Sequence, residues 1–382
     1  MNTSKAGKRK PTHPQAEIRA SQTGSFLTLH EIVKKARQRM DDENWDYLMG
    51  GTETETTMHR NRMALDAIAF TPRVLRDVSA IDCSASFFGQ KLRIPVLLAP
   101  VGMLERFDPD GAAASAKACA EFGIAHMLSS RTAPELEDVA AAGDNMRLFQ
   151  LYTRGDWDWI EDYIKRAKDN GFSAFCMTVD SAYYSRRERV LARGHITTFR
   201  SGIEGFIHQT QLNWDTVKRF KETYPDFPLI IKGIATAEDA TLAIEHGVDG
   251  IYISNHGGRQ LDHGRGAIET LPEIVDAANG QATIIIDGGF CRGSDIVKAV
   301  IMGADVVGLG KLQGLALAAG GAPGVVRMLE ILEKEIITCL GLIGASSFDE
   351  LDPKAIILPA KPATEPHATS AFPLLNLTSG TY

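Results

Sequence analysis

The chain has 382 residues, 44% hydrophobic and 23% charged, enough for one large domain or two ordinary ones with a sizeable core. Its formal charge is −7, from 41 basic and 48 acidic side chains, with no basic stripe interleaved with aromatics, which argues against a nucleic-acid partner. Five scattered cysteines (Cys83, Cys119, Cys176, Cys291, Cys339) form no C-x-x-C pair and fit reduced thiols rather than a disulfide frame or a metal site. The N-terminus lacks the apolar stretch of a signal peptide, no run approaches the ~18 apolar residues of a membrane span, and the final "SGTY" is not a peroxisomal address. The expectation is a cytoplasmic protein without a membrane partner.

Residues 1–24 are polar and contain "KRK"; the segment 1–27 reads as a disordered tail, with a signal for a nuclear or anionic partner as the alternative. Residues 28–76 look helical, "TLHEIVKKARQRM" being amphipathic at a 3.6-residue period. From residue 94 short apolar runs alternate with helical patterns: "IPVLLAPV" (94–101), "AHMLSS" (125–130), "RLFQLY" (147–152), "AFCMTVD" (174–180), "LIIKGI" (229–234), "GIYISN" (250–255), "TIIIDGG" (283–289) and "DVVGLG" (305–310). The runs do not alternate in polarity, as expected of parallel strands buried on both faces. Eight of them with intervening helices predict an α/β fold of the (β/α)8 barrel type, spanning 28–350 with its N-terminal helical segment. A long helical stretch (312–340) follows the last run, the longest connection (181–213) follows the fourth, and 351–382 reads as an extended C-terminal tail.

Active sites of such barrels lie at the C-terminal ends of the strands. Polar residues collect there: Gln150 and Tyr152 after the third run, Thr178, Asp180, Arg186 and Arg187 around the fourth, Lys232 on the fifth, His256 and Arg259 after the sixth, and Asp287 after the seventh. His256 is the natural general base, Asp180 a carboxylate able to orient it, and Arg187 and Arg259 two forks for one carboxylate. Lys232 would set positive charge beside a group that becomes negative. "DGGFCRG" (287–293) and "GLGK" (308–311) open the last helices with glycine amides plus Arg292 and Lys311, a phosphate cradle. A phosphorylated redox cofactor beside a small carboxylic acid satisfies both ends.

These residues, in this order, resemble the FMN-dependent α-hydroxy-acid oxidases and dehydrogenases over about residues 28–350. "SNHGGRQLD" (254–262) is the most specific match, supported by "FQLY", "TVD" followed by "RRE", "KGI", "DGG" and "WDYLMGGTETETT". The resemblance implies FMN as cofactor, a small L-2-hydroxy acid as substrate, oxygen or another acceptor, and a homotetramer. It makes His256 the base, Asp180 its partner, Tyr152 the contact of the substrate hydroxyl, and Tyr47, Arg187 and Arg259 carboxylate ligands. Lys232 would face flavin N1 and O2, and Val101 and Gly102 would lie under the ring. Ser129, Gln150 and Thr178 would be polar contacts, with Asp287, Gly289, Arg292, Gly310 and Lys311 at the cofactor and its phosphate.

Four departures from the family pattern bear on specificity. Arg131 stands where such enzymes place an aromatic or apolar residue; it either selects a second anionic or polar group on the substrate or turns to solvent or a loop carboxylate. Gly102 replaces an alanine, Lys311 replaces an arginine, and "VLARGHITTFRSGIEGFIHQTQ" (190–211) reads as a reduced lid with room for a bulkier substrate. Four alternatives remain open on the sequence: a tailoring oxidase for a larger hydroxy-acid-like or peptide group, an FMN-dependent isomerase, a soluble dehydrogenase with a non-oxygen acceptor, and a non-catalytic FMN-binding or scaffold protein.

Overall fold

A computed structural model describes residues 26–194, 206–360 and 371–372. Its centre is a closed, all-parallel barrel of eight strands: β1 (Val96–Leu98), β2 (Ala125–Ser129), β3 (Arg147–Leu151), β4 (Ala174–Thr178), β5 (Leu229–Ile234), β6 (Gly250–Ile253), β7 (Thr283–Ile286) and β8 (Val306–Leu309). Each predicted run supplies one strand, and β8 closes on β1 through Val307–Val96 and Leu309–Leu98.

The strands carry no polarity alternation because both faces are covered. Phe149, Phe175, Ile231, Ile251, Ile253 and Ile286 belong to the outer core under the helices. Leu97, Met127, Leu148, Cys176, Ile230, Tyr252 and Ile285 form a separate inner cluster. A hairpin pairing Ala85–Phe87 with Gln90–Leu92 adds Phe87 and Leu92 to that cluster, and Phe88 lies against the start of β6. Because side chains alternate along a strand, two steps on from the inner apolar residues come Ser129, Gln150, Thr178, Lys232, Ser254 and Asp287. The site polar groups thus sit on the inward register, one layer above the apolar plug.

Among the described residues three helices precede the barrel. Helix α1 (Leu29–Arg39) starts in a capping box: Glu31 N–H donates to Thr28 Oγ1, and Thr28 N–H donates to the Glu31 carboxylate at 3.1 Å. Helix α2 (Asp42–Met49) is capped by Asp41 and carries Tyr47; helix α3 (Thr56–Asp66) follows. Residues 67–76 are not helical as expected: Ala69–Phe70 pairs antiparallel with Ile356–Ile357. The domain therefore runs past residue 350, and the C-terminal segment is not simply a tail. Phe372 is buried and meets His30 of α1 edge-on at 5.8 Å. Residues 1–25, 361–370 and 373–382 of the expected tails, and residues 195–205 of the expected lid, lie outside the described residues.

The helix Lys311–Ile343 breaks at Gly320–Gly321. Against the expectation of no such run, it is long and apolar enough to cross a membrane. However, 72% of its most apolar window is buried inside the protein, against α1 and the helix Gly111–Phe122, so it is a core helix.

Candidate active site

A cavity opens at the C-terminal ends of the strands, with wall residues from all eight strand ends, from Ala99 and Val101 round to Gly308 and Gly310. His256 lines it. It is a non-glycine residue with φ 58°, a left-handed conformation that costs energy and is fixed by its contacts. Its amide donates to Ser254 Oγ at 3.0 Å; Nδ1 lies 3.1 Å from Asp180 Oδ1 and Nε2 lies 3.1 Å from the Tyr152 hydroxyl. Burial holds the imidazole below its ordinary pKa, Asp180 only partly countering it, so His256 is neutral at pH 7 and able to take a proton. Burial opposes ionisation of Asp180, but its interaction and hydrogen bond with His256, with the Lys232 charge, outweigh it and keep the carboxyl below its ordinary range.

Beneath His256 lies a second network. Lys232 Nζ donates to Ser254 Oγ at 2.7 Å, Ser254 Oγ donates to Asp287 Oδ1 at 2.6 Å, and Lys232 pairs with Asp287 at 3.3 Å. Lys232 is 4% exposed; burial disfavours its charge, yet Asp287 and Asp180 prevail and keep it an ammonium. Asp287 thus positions and neutralises Lys232 while also lining the cavity.

Arg259 is fixed from behind. Its Nη1 donates to the carbonyls of Tyr47 at 2.6 Å and Gly50 at 2.8 Å, and the guanidinium lies 5.1 Å above the Tyr47 ring. Burial, with the like charge of Arg187, pulls its pKa well below the usual value. Two partly buried arginines lining one cavity make a seat for a carboxylate. Tyr47 donates its hydroxyl to Gly102 O at 3.2 Å, which brings it to the same wall.

At the β7–β8 end the glycines are structural requirements. Gly288 and Gly289 have φ 109° and 84°, and a Cβ on either would press on Asn61. A Cβ on Gly308 would lie 2.1 Å from the Tyr252 hydroxyl, whereas one on Gly310 would meet only Val101 Cγ2, at 3.8 Å. Lys311 begins the long helix there, with Met49 O at 3.2 Å and Met58 Sδ at 2.8 Å. Burial and the Arg259 charge pull its pKa down to about 7. A buried ammonium beside weak acceptors and open glycine backbone at a helix start suits a phosphate.

Val101, Gly102, Gly289, Gly310 and Lys311 line the cavity as expected, as do Tyr47, Arg131, Tyr152, Arg187, Lys232, His256 and Arg259. Ser129, Gln150 and Thr178 are buried at neighbouring strand ends; Gln150 Nε2 donates to Thr178 Oγ1 at 2.8 Å and leaves Oε1 without a partner among the described residues. Arg292 is a correction. It pairs with Glu335 at 2.5 Å, and Cys291 is the cavity residue in that turn, so Lys311 and the glycine backbone, not Arg292, are what this end of the cavity offers a phosphate.

Sequence reading missed the polar groups that brace this wall. Met58, Asn61, Arg62 and Leu65 share the buried face of α3 at helical spacing. Asn61 and Asn255 exchange side-chain hydrogen bonds at 2.9 and 2.7 Å. Arg62 forks onto Asp295 at 2.8 and 2.9 Å. Asp262 accepts from Thr54 N–H, Thr54 Oγ1 and Thr57 N–H, pinning the start of α3 to the loop after β6. Polar residues at apolar helix positions were the available signal.

The family described as FMN-dependent dehydrogenase matches residues 36–358. The chain belongs to this family. Glycolate oxidase 1 of Zea mays is 36% identical over 373 residues, covering 92% of this chain and 99% of that protein. An L-lactate oxidase of Nostoc sp. is 35% identical, covering 86% and 97%. The crystal structure of a mandelate oxidase superposes with a TM-score of 0.82 at 33% identity, covering 88% of this chain and all of that one. The family's cofactor is FMN, and the cavity fits it: Lys311 and the β7–β8 glycines for the phosphate, Lys232 for the ring.

Proposed function

We propose that this cavity oxidises an (S)-2-hydroxy acid to the 2-oxo acid and passes the electrons to oxygen. One arrangement carries the reading: His256, held between Asp180 and Tyr152, opens onto the same cavity as Arg187 and Arg259, with Lys232 below. Arg187 and Arg259 hold the substrate carboxylate, which places its hydroxyl carbon against Tyr152 and His256. Neutral His256 accepts a proton at Nε2, and Asp180 stabilises the resulting imidazolium through Nδ1–H. Lys232 supplies positive charge where negative charge develops. Bound FMN supplies the two-electron acceptor chemistry. In the balance, the acid loses two electrons and two protons, and oxygen gains both as hydrogen peroxide. The glycolate and L-lactate oxidases among its relatives support oxygen as acceptor.

Anaerobic mixing of the holoenzyme with L- and D-2-hydroxy acids tests this. Bleaching of the flavin by an L-acid, and peroxide on admitting air, is the expected result; a flavin that no hydroxy acid bleaches overturns it. From the family resemblance and the reduced thiols we also carry a cytoplasmic homotetramer as a proposal. A monomer in sedimentation at micromolar concentration would remove the tetramer.

A further inference from the structure

Phe372 lines the cavity together with Leu48, Leu312 and Leu315, yet it takes no part in the reaction above. It lies outside residues 36–358, the span that the family matches. Phe372 is 2% exposed and belongs to the same apolar cluster as those three leucines.

Its neighbours put it at the phosphate end. Leu312 and Leu315 lie in the first turns of the helix that Lys311 opens, and Leu315, one turn on, shares a face with Lys311. On the other side the Phe372 ring meets His30 of α1 edge-on, at 5.8 Å and an interplanar angle of 84°. Burial, and next the charge of Arg292, hold His30 below its ordinary pKa. His30 is thus within electrostatic reach of the β7 turn, where Cys291, beside Arg292, lines the cavity. The site's charge makes a cover there matter. Arg292 turns to Glu335, so Lys311 is left to meet the phosphate, with its pKa already pulled down to about 7 by burial and the Arg259 charge. One ammonium holds a phosphate firmly only where water is kept out, because the attraction weakens as the local dielectric rises. A phenyl ring keeps water out and brings no polar atom to compete for the phosphate.

We propose that Phe372 is a cofactor-site residue whose ring closes the phosphate end of the cavity over bound FMN and slows its release. This rests on FMN as the cofactor and not on the hydroxy acid assigned above.

The test uses the full chain loaded with FMN. Release is followed after dilution as the rise of free-flavin fluorescence, and affinity by titrating the apo-protein with FMN. Phe372→Ala should release FMN about tenfold to a hundredfold faster than the native protein, the factor that corresponds to burying one phenyl ring, with Phe372→Leu between the two. Urea midpoints separate closure from packing: a ring that closes over the cofactor costs the FMN-loaded variant more stability than the apo variant. Equal losses in both forms, with release at the native rate, overturn the proposal. So does an Ala variant that binds FMN more tightly, because the ring would then occupy the cofactor's place. If Phe372→Ala does not fold, Phe372→Leu decides, and release at the native rate again overturns the closure. A native chain that takes up no FMN overturns the cofactor fit and the closure together, whereas hydroxy-acid oxidation is judged by its own bleaching assay.

Discussion

Replacing Asp180 by Asn isolates its charge from its shape. Asn keeps the volume, which matters because Gly233 packs so closely that a Cβ there would lie 2.6 Å from Asp180 Cβ. It also keeps an oxygen for His256 Nδ1–H, so the tautomer survives. What is lost is one negative charge about 4 Å from the imidazolium that forms when Nε2 takes the substrate proton. At an effective dielectric constant of ~20 that attraction is about 4 kcal/mol. Partial solvent compensation leaves a net loss of about 2–4 kcal/mol in the transition state, or a thirty- to a thousandfold slower reaction. The assay is anaerobic stopped-flow reduction of the flavin at saturating hydroxy acid. A pH signature accompanies the rate. His256 must be neutral to act, and burial already sets its pKa below the ordinary 6.5. The rate of the native enzyme therefore rises through an acid limb below pH 6.5 and is flat above it. Asp180 pushes that pKa up, so the Asn variant's limb moves to still lower pH as its plateau drops. An Asn variant with the native rate and an unmoved limb would refute the assignment of Asp180 as the partner of the base.

Three further outcomes follow from the geometry. Arg62→Met leaves buried Asp295 without its fork and should cost about 3–5 kcal/mol, seen as a lower urea midpoint; a change under about 1 kcal/mol would contradict a structural role for the pair. Lys311, with a pKa near 7 in the cavity, must be charged to hold a phosphate dianion, so FMN binding takes up a proton. FMN affinity should fall up to about tenfold per pH unit above pH 7, with calorimetric proton uptake at pH 8; a dissociation constant flat from pH 7 to 9 would remove Lys311 from the phosphate site. Gly308→Ala places a methyl 2.1 Å from the Tyr252 hydroxyl and should destabilise by about 1–3 kcal/mol. Tyr252→Phe should recover much of that loss in the double variant, and additive losses would show that the clash lies elsewhere.

How much of this was legible in the chain depends on whether a residue's role is local. The eight strands were readable because each is a short apolar run ending in turn residues, and the site groups because they sit two residues beyond the last inner apolar residue. His256, Arg259, Lys232 and Asp180 each announce themselves at a strand end. Arg292 misled for the same reason: a cation beside two glycines looks like a phosphate ligand, and only the path of the helix shows that it turns to Glu335 while Cys291 faces inward. The C-terminal boundary was missed because Ile356–Ile357 is too short to register as a strand without its partner at Ala69–Phe70, nearly three hundred residues earlier.

Tyr252 and Gly308 mark the limit most clearly. Alone, each has an ordinary explanation: an aromatic in a buried strand, and a glycine near a turn. Together they are one feature. β6 and β8 flank β7, so residue 252 reaches across the inner layer to residue 308, and the hydroxyl occupies the space a side chain on β8 would fill. The consequence reaches the chemistry, because the Tyr252 ring lies 4.9 Å from Lys232 Nζ. An aromatic face under that ammonium favours its charge as Asp287 does, from a direction where an aliphatic residue would give only desolvation. The floor of the cavity, not only its visible polar rim, keeps Lys232 cationic, and that is a property of strand order that spacing in the sequence does not encode.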